Sequence, residues 1–114
     1  MQFLVIGKDG NDDGAMNRRM AVREEHLKLG DKMEAVGNRW YGAALLDDHG
    51  NMIGSMAVMD FPSEKELNDW LKIEPYVTGK VWQTVEVIKC NVKNPWKFNR
   101  PKEFFEARNY KKTT

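Results

Sequence analysis

The longest helical stretch of this sequence carries cations where its periodicity calls for apolar side chains, and any fold the chain adopts must answer that. At about 100° per residue, Met16, Met20, Val22, Leu27, Leu29, Met33 and Val36 gather on one broad side of a helix, with Asn17, Glu24, Glu25, Lys28, Asp31 and Lys32 opposite. Arg19, Arg23 and His26 follow at i, i+4 and i+7 inside the apolar arc, and Gly30 continues their row. A cation taken out of water is costly unless a carboxylate or a bound anion meets it. The row therefore requires either an internal ion-pair network or a polar pocket beneath the helix, and the sequence leaves both open.

The elements around this helix can be read in order. Gln2 to Lys8, with β-branched Val5 and Ile6, reads as a strand ended by Asp9-Gly10 and a polar loop. The helix closes near Gly37-Asn38, where either residue suits a left-handed cap. Arg39 to Leu46 and Ile53 to Phe61 read as strands joined by the turn Asp47-Asp48-His49-Gly50-Asn51 and should pair antiparallel. Ser63 and Glu66 have capping-box spacing for a second helix with Leu67, Trp70 and Leu71 inward, ending at Glu74-Pro75. Val81 to Cys90 makes a fourth strand, with Val81, Val85 and Val87 on one side and Trp82, Ile88 and Cys90 on the other.

The order β-α-β-β-α-β in so short a chain implies an α+β, ferredoxin-like sandwich: one antiparallel four-stranded sheet with both helices on one face. Both sides of strands two and four carry apolar residues, and such a sheet is rarely left half bare. A homodimer with two sheets face to face is the expectation. With 114 residues, residues 1–92 read as a single domain and 93–114 as an extension. That extension interleaves cations with Trp96, Phe98, Phe104, Phe105 and Tyr110, which a disordered linker would not carry. A short helix near 102–108 and packing on the body or across the dimer are expected.

Lys+Arg 18 against Asp+Glu 17 gives no global basic field for nucleic acid. Cys90 is the single cysteine, so an intrachain disulfide is impossible and a reducing, cytoplasmic setting is expected. No apolar run approaches the roughly 20 residues of a membrane span, and no signal-peptide pattern precedes the first strand. His49 lies in a polar turn without a second histidine or cysteine beside it, so no metal set is read. No phosphate loop or nucleophile elbow is present, and no cofactor is expected.

Arg19-Met20-Ala21-Val22-Arg23-Glu24-Glu25-His26-Leu27 resembles the R-x-x-x-R-x-x-H-L helix of the YCII-related (YciI-like) proteins, and Glu74-Pro75-Tyr76-Val77 resembles their [D/E]-P-Y-V segment. Asp9, Gly42-Ala43 and Ile53-Gly54-Ser55 are weaker matches, and the likeness covers roughly residues 2–92. The resemblance implies a dimeric α+β barrel and a pocket in which the helix histidine faces the carboxylate before Pro-Tyr as an acid–base pair. Residue by residue that pair is His26 and Glu74. Many relatives have aspartate there, and glutamate is one methylene longer.

For His26 the reading is a general acid or base oriented by Glu74, against a core histidine bonded to backbone. Arg23 and Arg19 either hold an anionic ligand group or pair with Asp9 or Glu74. Tyr76 either donates into the pocket or packs, and Asp9 is equally open. The leading expectation is an enzyme of lyase or isomerase type acting on a small anionic metabolite. Its alternatives are a non-catalytic ligand-binding or sensor module on the same fold, and a purely structural dimer.

Overall fold

The computed structural model describes residues 1–93 and 101–107. Its elements are β1 (Gln2–Asp9), α1 (Ala15–Ala35), β2 (Arg39–Leu46), β3 (Met52–Asp60), α2 (Glu64–Leu71), α3 (Pro75–Thr78), β4 (Trp82–Cys90) and α4 (Lys102–Glu106). The four strands form one antiparallel sheet in the order β2-β3-β1-β4. This is the ferredoxin-like α+β arrangement, with β1 central. Among the described residues no helix is long and apolar enough to cross a membrane.

One face of the sheet makes the core. Phe3, Val5 and Met59 from β1 and β3 pack with Phe61 and with Leu67 and Trp70 of α2, while Leu29 and Met33 of α1 and Leu71 of α2 close over them. Period-two alternation puts Phe3, Val5 and Gly7 of β1 inward, each buried, and leaves Leu4 and Ile6 half-buried on the other face. Burial of each large apolar side chain contributes about 1.5–3 kcal/mol.

Both long helices end and begin as their residues dictate. At the end of α1, Gly37 takes φ +85, its N–H bonds to Glu34 O and that of Asn38 to Met33 O, the two bonds of a Schellman motif. Ser63 caps α2 by accepting from Lys65 N at 3.2 Å while donating its hydroxyl to the Glu66 carboxylate. The second helix was expected to run to Glu74-Pro75, but α2 ends at Leu71; Pro75 instead opens α3 with Glu74 as its N-cap.

Two further expectations are corrected. Met16, Met20 and Val36 were placed in the apolar arc of α1 but are 39, 54 and 66% exposed, whereas Arg19 and Gly30 are its buried residues. The helix is rotated about its cationic row, so that Arg19, and not Met16 or Met20, points at the sheet. Trp82 was placed opposite Val85 and Val87, yet it is buried on the helix side. The register explains this: Lys8 pairs with Thr84 but Asp9 with Trp82, so Gln83 is an extra residue in β4. This bulge reverses the alternation beyond it.

Gly7 makes the room for that ring. A Cβ on Gly7 would lie 2.2 Å from Trp82 Cδ2, a contact no real side chain tolerates. The short helix expected in the extension is α4, while Trp96, Phe98 and Tyr110 lie outside the described residues. Gly7→Ala is expected to lower stability by about 1–3 kcal/mol through overpacking, with a changed tryptophan emission. Leu46→Ala, at an exposed position, should stay within about 0.5 kcal/mol in the same urea titration.

Candidate functional site

The site is built around the inward face of α1, where it crosses the carboxyl end of β1 and the amino end of β3. Arg19 is 1% exposed. Its Nε donates to Asp9 Oδ2 at 2.8 Å, its Nη1 to the Tyr76 hydroxyl at 3.1 Å, and its Nη2 to Gly54 O at 2.7 Å and Ser55 Oγ at 2.9 Å. The guanidinium carbon also lies 4.7 Å from the centroid of the Tyr76 ring, within cation–π range. Four of five N–H donors are thus engaged by the protein, and a buried cation is compensated by a carboxylate that is itself only 3% exposed.

Two hydrogen-bond acceptors in this network shape the pocket. Ser55 Oγ accepts from Arg19 Nη2 and also from Trp82 Nε1 at 3.3 Å. Neither donor can reverse its role, so Ser55 Oγ is the acceptor in both bonds, and the residue lines the pocket. Glu74, 1% exposed, accepts from Tyr76 N at 3.1 Å as the cap of α3 and meets His26 Nδ1 with the same oxygen. The longer glutamate side chain therefore reaches the histidine while still capping its own helix.

His26 is held on its face as well as its edge. Its ring stacks on Tyr76 with centroids 3.7 Å apart and planes 8° from parallel, and Trp82 meets it edge-on at 6.2 Å. Of the two ring nitrogens, Nδ1 is the one that meets Glu74. Burial pushes the Tyr76 phenol above its ordinary value, partly opposed by the charge of Arg19 and by its hydrogen bond, so this tyrosine stays a neutral hydroxyl at physiological pH.

A pocket opens between α1 and the sheet, lined by Arg19, His26, Ser55, Glu74, Trp82 and Arg39 together with small and apolar neighbours. The structure thus brings His26, Glu74 and Arg19 to one cavity. Asp9 and Tyr76 touch Arg19 but are not among the residues lining the cavity, nor is Arg23, although the charge of Arg23 acts on the Tyr76 phenol. Ser55 and Arg39 were not singled out as site residues by sequence reasoning. The signal for Ser55 was its place beside Gly54 in the weaker family match; Arg39 carried no local signal. His49 lies exposed in its turn, and among the described residues no three of His, Cys, Asp and Glu gather as a metal site requires.

The fold and this helix-lined pocket define an α+β domain of ferredoxin-like type with a histidine–carboxylate contact at its cavity. The chain belongs to the YCII-related domain family, which matches residues 1–96. Among solved structures it is similar to the 5-chloro-2-hydroxyhydroquinone dehydrochlorinase (TftG) from Burkholderia phenoliruptrix AC1100 in complex with 2,5-dihydroxybenzoquinone. That likeness has a TM-score of 0.69 and 22% identity over 80% of this chain and 94% of that one. No curated protein matches the sequence.

Arg19→Met is expected to cost about 3–5 kcal/mol, because it strands the buried Asp9 carboxylate. Urea unfolding followed by tryptophan fluorescence measures it, and a loss below about 1 kcal/mol would show that the pair does not hold β1 to α1.

Proposed function

We propose that this chain is an enzyme of lyase or isomerase type that moves a proton on a small anionic metabolite. The observation that carries the reading is the clamping of His26 by Glu74 at Nδ1 and by the Tyr76 ring on its face. Such a histidine is fixed in one tautomer and one orientation, and its other nitrogen serves as a base. Nε2 takes a proton from the ligand and His26 becomes an imidazolium facing the Glu74 carboxylate. The electron pair left on the ligand either moves onto a neighbouring oxygen, for later return of the proton elsewhere, or expels a leaving group. Negative charge developing on that oxygen is met by the Ser55 hydroxyl, which is already oriented by Arg19 and Trp82.

In this reading Arg19, with Asp9 and Tyr76 behind it, organises the pocket rather than holding the ligand, and Arg23 adds positive charge beside it. A dehydrochlorinase on a similar fold supports the reaction class, and the substrate of that enzyme is not carried over. We also propose that the open sheet face, with Leu4, Ile6, Met56 and Val58 half-buried, packs on a second copy of the chain. A dimer mass in sedimentation at micromolar concentration is expected, and a clean monomer boundary would overturn this assembly.

The test of the site is an NMR pH titration of His26, with exposed His49 as the internal control, in the presence and absence of small anionic carbonyl and ring compounds. One ligand class should move the His26 titration and leave His49 unchanged. With a substrate in hand, His26→Ala should lower turnover about 10²–10⁴-fold with binding retained. Loss of binding without any turnover in the parent protein would instead favour a ligand-binding module, and a change in stability alone a structural role.

A further inference from the structure

The free space of the cavity beneath α1 is about 20 Å³, room for one water and nothing larger. A larger ligand enters only if part of the wall moves. Most of that wall is tied down. Arg19 makes four hydrogen bonds, Trp82 donates to Ser55 from its place over Gly7, Glu74 caps α3, and Met59 and Trp70 belong to the apolar core. Arg39 is held differently. Among the described residues its guanidinium makes no hydrogen bond, and its one charged partner is Glu34 Oε2 at 3.6 Å, on a side chain that is 63% exposed. That separation is longer than a charge-assisted hydrogen bond, and an ion pair so open to water is a weak restraint.

The chain makes a place for this side chain. Arg39 pairs with Met59 and Tyr41 with Val58, so Trp40 is an extra residue in β2. Strict alternation would put positions 39 and 42 on opposite faces; the bulge brings Arg39 and Gly42 to the same, helix-facing side. Gly30 of α1 stands across from them. A Cβ on Gly42 would lie 1.8 Å from Arg39 Nη2, and one on Gly30 would lie 3.1 Å from Nη1. The guanidinium thus occupies a slot with bare backbone on both sides. β2 is an edge strand, and the Arg39 side chain lines the cavity while remaining 17% exposed. It stands between the cavity and solvent.

From this arrangement we infer that Arg39 is the gate of the cavity. In the structure it fills the slot and leaves room for one water. Rotation about its side-chain bonds carries the guanidinium outward, off Gly42, and opens a passage between α1 and β2. The walls of that passage at Gly30 and Gly42 have no side chain to block it, and small solutes reach the interior of the cavity by this route. Glu34, four residues after Gly30 on α1, holds the closed position and so sets how often the gate opens. The gate is read from geometry alone and stands whatever reaction His26 performs.

Labelling of a thiol placed inside the cavity tests this without a substrate. Ala57 lines the cavity and pairs with Gly42. The Ala57→Cys protein is treated with methyl methanethiosulfonate, and peptide mass spectrometry compares the new thiol with the natural Cys90. The new thiol should react more slowly than Cys90. Adding Arg39→Ala should speed it about 10-fold, because labelling then no longer waits for a local opening, and millimolar methylguanidinium should slow it again by refilling the slot. Adding Glu34→Gln instead, with Arg39 in place, should speed it about 2–5-fold, the weight of an exposed ion pair. Cys90 should be unchanged throughout. If neither substitution alters the rate, if Cys90 speeds up in step, or if the new thiol already reacts as fast as Cys90, the gate is overturned. Should Arg39→Ala fail to fold, Glu34→Gln, at an exposed position, decides the matter in a folded protein.

Discussion

The contact on which the rest depends is the buried pair of Arg19 and Asp9. One guanidinium joins four elements: Asp9 at the end of β1, Gly54 and Ser55 in β3, Tyr76 in α3, and α1 to which it belongs. An ion pair withdrawn from water is a weak source of net stability, because desolvation offsets much of the attraction. What it does supply is specificity of placement. A methionine or leucine at this position could slide among several packings, whereas a planar fork with four partners fixes the rotation of α1. That rotation in turn turns His26 toward Glu74 and leaves Met16 and Met20 in solvent.

The same logic links the aromatic residues. Tyr76 supplies a hydroxyl to Arg19 and a face to His26, and Trp82 supplies an indole N–H to Ser55 and an edge to both rings. Each of these residues ties two others together, Tyr76 from behind the cavity and Trp82 from its wall. The core beneath Phe3, Met59 and Trp70 is conventional apolar packing, and it borders this polar cluster, since Met59 and Trp70 line the same cavity.

Much of this was legible in the sequence. The alternation of β1, the turn at Asp47 to Asn51 and the caps at Gly37 and Ser63 rest on local signals of known period or chemistry, whereas the pairing of His26 with the residue before Pro75 was implied only by the family resemblance. The register of β4 was not legible, since nothing in Val81 to Thr84 marks Gln83 as extra; a bulge is fixed by the neighbouring strand and by the room at Gly7. Nor was the slot of Arg39 legible. Gly30 and Gly42 belong to different elements, and only the packed structure shows that one side chain needs both. For Arg19 the sequence posed the right question, network or pocket, and the structure gives both: the network forms one wall of the cavity.

The bulge at Gln83 has a consequence for how such a chain can change over time. Loss of that single residue would keep every side chain of the site in the gene and still turn the indole away from Ser55 and out of the cavity. Part of the chemistry is thus written as strand length rather than as residue type. Relatives that differ by one residue just after this tryptophan would differ in what Ser55 is bonded to, even with the helix motif intact.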